Sequence, residues 1–482
     1  MKDFTRRDFL RTSALAAGGL VMSSSLLSAQ NKGGDKINVA LVGLGAEGNV
    51  LLNSILKMTN INIVAVCDIW QPACNRAAMH IARSLKQKPV RYTIKDIGPR
   101  KNTDLMAGAV KKGLVGDIKG ENHEDLIKNH AKELDAVIIA TPDFWHAPQT
   151  IAFLEAGVNV YCEKMMSDTL EGAKSMVRAA RKSGKLLQIG HQRTSNPRYK
   201  YAREVLLRKH NLCGNIMAAN GQWNRAVTTD LTYVEREAIP VEKLKKYGFK
   251  DMNQFRNWRW HKGLGGGAIS DLGAHQIDIF GWMLGAHPTR VMASGNRDYY
   301  KKADGSPAHD WDDNVMCIFE FDKTFQGKKA QAFYQVLTTT SSGGGYYESF
   351  LGDQGTLKMS ENPALTKLFR ENNAPDWAPL IKAGIIGAGD AAAATTKVAD
   401  ARESKALVGY SFPTKIAGYE PDTKIKPIHM YHVENFFNAV QGKEKLNCDA
   451  EHAFEAEAAV FKAREAITKG PLTFSESDFK VS

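Results

Sequence analysis

The stretch from Lys36 to Asp68 constrains this chain of 482 residues more than any other. Lys36-Ile37-Asn38-Val39-Ala40-Leu41-Val42 is a short, β-branched apolar run that stops at a glycine, the pattern of a strand buried on both faces of a parallel sheet. Gly43-Leu44-Gly45-Ala46-Glu47-Gly48 follows at once and opens a helical stretch, and a second apolar run, Ile61 to Val66, ends just before Asp68. A glycine turn between strand and helix brings bare backbone and a helix N-terminus to one point, which suits a pyrophosphate. An acid at the end of the next strand, about twenty residues on, accepts hydrogen bonds from ribose hydroxyls and repels a 2′-phosphate. Gly43, Gly45, Ala46, Glu47, Gly48 and Asp68 are therefore expected to hold a dinucleotide, NAD in preference to NADP.

The same strand pattern recurs in Ala136 to Ala140, Val158 to Cys162 and Leu186 to Gly190, with a helix-like stretch from Ala147 to Glu155. Strands alternating with helices predict an α/β Rossmann domain, a doubly wound parallel sheet, over residues 36–190. Tyr92 to His123 has no clear period and reads as an inserted loop. Beyond Gly190 the pattern alternates, as in Val315 to Phe321 and Ala330 to Val336, and Gly352-Asp353-Gln354-Gly355 reads as a hairpin turn. Pro363 to Pro427 reads as a long surface excursion, and helices are expected around His432 to Gln441 and Ala450 to Lys469. Residues 191–482 are thus expected to form a second, α+β domain with a large open, mainly antiparallel sheet, in keeping with two domains for this length.

Residues 1–30 stand apart. Thr5-Arg6-Arg7-Asp8-Phe9-Leu10 ahead of an apolar, small-residue run from Ala14 to Leu27 reads as a twin-arginine export signal, with cleavage near Ala29 and a periplasmic destination. No later run has the length of a membrane span. Cys67, Cys74, Cys162, Cys213, Cys317 and Cys448 show no zinc spacing, so buried thiols and no metal are expected. The net charge of +12 is concentrated between Arg193 and Lys262, where fifteen lysines and arginines face six acids. These charges are interleaved with Trp and Asn and form no polybasic block, which argues for a solvated face or an entrance favouring acidic sugars and against nucleic acid.

Three further segments resemble the Gfo/Idh/MocA family of oxidoreductases. Thr141-Pro142-Asp143-Phe144-Trp145-His146 is similar to the family's loop beside the nicotinamide ribose, which implies cofactor contacts from Thr141, Pro142 and His146. Cys162-Glu163-Lys164-Met165 is similar to its Glu-Lys-Pro signature, with Met165 in place of proline; the resemblance sets Glu163 and Lys164 beside the nicotinamide. Gly265 to Asp278 resembles the family's substrate-site helix, with Asp271 and His275 four apart. The family combines a Rossmann domain with an open-sheet substrate domain, a face on which such proteins commonly pair, so a homo-oligomer through that sheet is expected.

The chemistry points the same way. Oxidising a secondary alcohol requires a base at the hydroxyl proton and a cation for the developing alkoxide. His275 is expected to be the acid/base, Asp271, on the same helix face, to bind a substrate hydroxyl and help hold the imidazole, and Lys164 to polarise the reacting oxygen. Trp258 and Trp260 are expected to stack on sugar faces, and Gln192, Arg193, Asn224 and Arg225 to line the cleft. The expected activity is NAD-dependent interconversion of a sugar or glycoside secondary hydroxyl, at C3, with its keto form. Because a periplasmic protein lacks a pool of free NAD, the cofactor is expected to be tightly held and reset in the site. Two alternatives are a redox-neutral glycosidase resembling family 109, ranked lower because those enzymes lack the Glu-Lys pair kept here, and a binding protein that retains NAD structurally.

Overall fold

The computed structural model describes residues 36–389, 409–418 and 426–482; the export-signal reading and part of the expected excursion fall outside them. Strands β1 (Ile37–Val42), β2 (Ile61–Cys67), β3 (Val90–Tyr92), β4 (Ile118–Gly120), β5 (Ala136–Ile139), β6 (Asn159–Cys162) and β7 (Leu187–Ile189) form one sheet in the order β4-β3-β2-β1-β5-β6-β7. Every pairing in it is parallel. Helices α1 (Ala46–Ile55), α2 (Gln71–Leu85), α3 (His123–His130), α4 (Asp143–Glu155) and α5 (Leu170–Ser183) make the crossovers. Leu51, Leu52 and Ile55 of α1 are buried against Val39 and Leu41 of β1, each apolar side chain contributing about 1.5–3 kcal/mol. Caps set the helix starts, as where Asn122 accepts from Glu124 N and Asp125 N.

The stretch from Tyr92 to His123 is more than an inserted loop. It holds a short helix (Ala107–Lys111) and β4, which lengthens the sheet by one strand. Gln71 Nε2 donates to Ile94 O and Thr103 O, and the buried Arg91 guanidinium grips both carboxylate oxygens of Asp104 at 3.0 and 2.6 Å. These contacts are long-range, so local periodicity did not carry them.

The second sheet comprises β8 (Ile216–Asn224), β9 (Arg290–Asn296), β10 (Asn314–Phe321), β11 (Ala330–Leu337), β12 (Tyr346–Gly352), β13 (Gly355–Met359), β14 (Lys367–Arg370), β15 (Gly409–Tyr410) and β16 (Leu472–Thr473). Its order is β15-β14-β13-β12-β8-β11-β10-β9-β16, antiparallel except where β8 meets β11. β14 and β15 extend it inside the segment expected as a surface excursion. Val315, Cys317, Phe319 and Phe321 point to the buried face, which packs on α6 (Ala274–Leu284) and α8 (Ala450–Lys469), while Met316 and Ile318 of the same strand face outward and are exposed.

Two parts of the later sequence return to the first sheet. Met430, Val433, Phe436 and Phe437 of α7 (Ile428–Val440) share one core with Leu51 and Ile55, as do Ile239, Leu244, Phe249 and Met252. This return brings residues more than two hundred positions apart to the site.

Candidate active site

A cleft of about 600 Å³ lies at the carboxyl ends of β1, β2, β5 and β6. Gly43 turns there with φ +85°, and a Cβ on it would lie 2.5 Å from the Ala140 carbonyl, so no other residue fits. A Cβ on Gly48 would meet Gly43 O at 2.0 Å, which packs α1 hard against the turn. Gly45 has open space beside it, and no side chain caps the N-terminus of α1, so its backbone N–H groups are free for an anion. Asp68 Oδ2 accepts from Leu44 N and Oδ1 from Trp70 N, both at 2.8 Å, so the acid also staples the glycine turn. Burial pushes the Asp68 carboxyl up, against those two bonds and the charges of Arg76 and Arg256. An open helix start, a side-chain-free turn and a strand-end acid in one groove fit a dinucleotide.

At the other end Lys164, Asp271 and His275 converge. Lys164 follows β6 at a cis Lys164–Met165 peptide. His146 ties this turn to the loop after β5, its ring nitrogens 2.6 Å from Met165 O and 2.7 Å from Thr141 O; burial drives its pKa down to about 4. Asp271 lies in a π-helical turn (Ile269–Gly273) that runs into α6, a widened turn of the kind common at functional sites. Lys164 Nζ donates to Asp271 O at 2.5 Å and sits 3.6 Å from Asp271 Oδ1, which Arg259 Nε approaches at 3.2 Å. Burial opposes charge on Asp271, but Arg259, Lys164 and Arg225 outweigh it and hold the carboxyl at about 2. Burial, joined by Lys164, Arg193, His191 and His429, holds the His275 imidazole well below its ordinary value, so it stands neutral. Trp223 lies against His275 with ring centroids 5.8 Å apart. Nearby, burial raises Asp143 to about 8 and, with Glu47, Glu163 to about 8.

Residues 37–191 match the family described as "Oxidoreductase family, NAD-binding Rossmann fold", and residues 245–358 match the "GFO/IDH/MocA C-terminal domain". The chain belongs to the Gfo/Idh/MocA oxidoreductase family. A glycosyl hydrolase family 109 protein of Stenotrophomonas maltophilia is 30% identical over 166 residues, 34% of this chain and 31% of the relative. The chain thus aligns with about a third of that curated relative's length. Among solved structures, levoglucosan dehydrogenase in complex with NADH gives a TM-score of 0.61 at 15% identity, covering 91% of this chain and 99% of that one. Aldose-aldose oxidoreductase from Caulobacter crescentus, complexed with glycerol, gives 0.59 at 14%, covering 91% and 100%. At these identities the likeness is one of fold.

Within this Gfo/Idh/MocA protein, most residues singled out from sequence line the cleft: Gly43, Gly45, Ala46, Glu47, Asp68, Thr141, Pro142, His146, Glu163, Lys164, Gln192, Arg225, Trp258, Trp260, Asp271 and His275. Three expectations change. Arg193 is wholly buried, bonded to Glu348 Oε1 and, at 3.0 Å, to Glu361 Oε1, so it braces the wall instead of touching substrate. Asn224 turns away from the cleft, its Nδ2 donating to Ser342 O at 2.7 Å, because strand alternation gives the cleft face to Trp223 and Arg225. No hydrogen bond joins Asp271 to His275, since Arg259 and Lys164 take the carboxylate.

Sequence reasoning missed Trp223, Arg259, Glu361 and His429, all on the cleft wall. Period-two alternation along β8 carried a signal for Trp223. His429 comes from α7, and nothing local announced it.

Proposed function

We propose that this protein interconverts a secondary hydroxyl of a sugar or glycoside, at C3, with its keto form, using an NAD that stays bound between turnovers. The observation that carries the reading is the convergence of the Lys164 ammonium, the Asp271 carboxylate and a neutral His275 in the dinucleotide cleft. The bound dinucleotide supplies the acceptor for the carbon's hydrogen and electron pair. His275 takes the hydroxyl proton as the carbon is oxidised, and Lys164, which spends one N–H on Asp271 O, has two left for the developing alkoxide. Asp271, held ionised, and Arg225, whose Nε has no partner among the described residues, face the substrate space and bind its hydroxyls. Trp258 and Trp260 offer aromatic faces for the apolar side of a sugar ring.

Retention of the cofactor is supported by what covers the groove. The segment between β8 and α6 is tied to the first sheet's loops and to α4 where Trp70 Nε1 donates to Glu237 O at 2.7 Å, Gly98 N to Ala238 O at 2.7 Å and Trp145 Nε1 to Tyr247 O at 3.1 Å. A protein carried out folded by the twin-arginine route needs such a hold. The exposed Met217, Met316 and Ile318 on the outer face of the second sheet support self-association there.

Asp68→Ala is expected to remove about 1–3 kcal/mol of hold on the dinucleotide. Mass spectrometry of the copurified cofactor then finds less NAD and a larger NADP share than in wild type; an unchanged ratio contradicts the role of Asp68. The pH profile gives a second check. With His275 held below its ordinary 6.5, its base form persists on the acid side, so the acid limb of kcat/KM lies below pH 6.5. A limb at or above 6.5 contradicts the assignment.

The glycosyl hydrolase family 109 relatives favour a second reading, in which oxidation is transient and a glycosidic bond is cleaved with no net redox change. A panel of methyl and nitrophenyl glycosides separates the two. Accumulation of the reduced bound cofactor with a keto-glycoside product supports the oxidoreductase. Aglycone release with an unchanged cofactor spectrum supports the glycosidase, and neither signal leaves a binding protein.

A further inference from the structure

Behind His275 the described residues include a chain of buried ionisable groups that the proposed chemistry does not use. His191 and His275 rings lie edge to face, centroids 6.3 Å apart. His191 Nε2 is 3.1 Å from Glu457 Oε1, and its Nδ1 faces Asp278 Oδ2 at 3.8 Å. Asp278 Oδ1 in turn bonds His452 Nε2 at 2.9 Å. His191, Asp278 and Glu457 are almost wholly removed from solvent, whereas the His452 side chain is 28% exposed and lines a second cavity of about 380 Å³ with Arg203, Trp282, His287 and Glu455. Three buried polar atoms on this line, His275 Nδ1, His191 Nδ1 and Asp278 Oδ2, have no hydrogen-bond partner among the described residues.

Burying four ionisable side chains in a row is costly, and a packed apolar core would serve stability as well or better. Buried polar atoms left unpaired call for an explanation, a bound water or a role in moving protons among them. We propose that His191, Asp278 and His452 form a proton path connecting His275 with the second cavity, so that protons enter and leave while sugar fills the mouth of the cleft. The path rests on the oxidoreductase reading. When the alcohol is oxidised, its carbon gives a hydrogen with two electrons to the nicotinamide, the O–H bond breaks, and the proton forms a new N–H on the cleft side of His275. His275 returns to neutrality by giving up the proton on its other ring nitrogen. One proton then passes over His191 and Asp278 and leaves His452 for solvent; Asp278 ends as it began, while each imidazole ends neutral with its proton on the opposite ring nitrogen and is reset when a proton returns along the same line as a keto-sugar is reduced. The His275–His191 step requires a bridging water and a swing of the His191 ring that releases its Nε2 from Glu457.

The surrounding charges favour outward travel. His275 is held low by burial and by Lys164, Arg193, His191 and His429. Burial works against charge on His452, but Asp278, Glu455 and Asp449 outweigh it and raise its pKa. Facing His191 are Glu457 from α8, Asp278 and His275 from α6, and His432 from α7; Glu457 also accepts from Met166 N on both carboxylate oxygens, which fixes it in place.

The test uses the purified holoprotein with methyl β-glucoside, or the most active glycoside of the panel, as reductant. In one turnover, cofactor reduction is followed by its absorbance and proton release by a pH indicator. His452→Gln is expected to reduce its cofactor at the wild-type rate but to release the proton about tenfold more slowly or worse. Its proton release then quickens with added imidazole, which enters the second cavity, while wild type is indifferent; a merely structural role gives no such rescue. Asp278→Asn shows the same delay without rescue. Proton release in step with reduction in both variants overturns the path. A wild-type cofactor that no glycoside reduces overturns the oxidoreductase reading and the path with it.

Discussion

His275→Ala is expected to lower the rate of sugar-dependent cofactor reduction by a factor of about 10² or more while leaving NAD bound. The imidazole is the neutral group poised to take the hydroxyl proton, and the cofactor's cradle at Gly43, Gly45 and Asp68 lies at the other end of the cleft. Stopped-flow reduction of the bound cofactor measures the loss directly, and the amount of copurified NAD serves as the control. Because Lys164 remains to stabilise the alkoxide, residual activity should rise with pH as solvent hydroxide takes over the proton. A variant with wild-type reduction rates removes His275 from the chemistry.

Arg193→Ala is expected to cost about 3–5 kcal/mol of stability, the usual penalty for stripping one partner from a buried ion pair. The guanidinium bonds Glu348, and both side chains are almost fully removed from solvent. Without it Glu348 keeps Tyr199 OH at 2.8 Å, and burial, which already raises this carboxyl to about 7, forces it toward the neutral form. Part of the loss should return in the Arg193→Met, Glu348→Gln double variant, which leaves only Glu361, on the cleft wall, without its partner. Denaturant unfolding at neutral pH reads the difference. Unchanged stability with a raised KM for sugar would restore Arg193 to the substrate contacts.

The Rossmann half was legible because its signals are local. Continuous apolar runs gave β1, β2, β5, β6 and β7, and the glycine turn and Asp68 fell where strand ends required them. Boundaries slipped where one residue sent a conflicting signal. The helix expected from Ala147 starts at Asp143, because Pro148, which reads as a start, is carried inside α4. At Asn224 the error was one of parity, since a shift of one residue in a strand exchanges the cleft face for its reverse. Asp271 and His275 were found by their spacing, but their partners were not. That Arg259 and Lys164, and not His275, take the Asp271 carboxylate depends on a π-helical turn that no pattern of apolar residues announces. His429 and the buried pair of Arg193 with Glu348 arise when distant segments meet, as do the links from His191 through Asp278 to His452. Such contacts are written in the tertiary packing.

The most direct test of the account is the absorbance spectrum of the purified protein, as isolated, before and after addition of the sugar and glycoside panel without external NAD. A resident nicotinamide is expected, whose reduced-form absorbance rises with at least one glycoside and falls again when a keto-sugar is supplied. A protein isolated without nicotinamide, or one whose bound nicotinamide no sugar or keto-sugar alters, would contradict it.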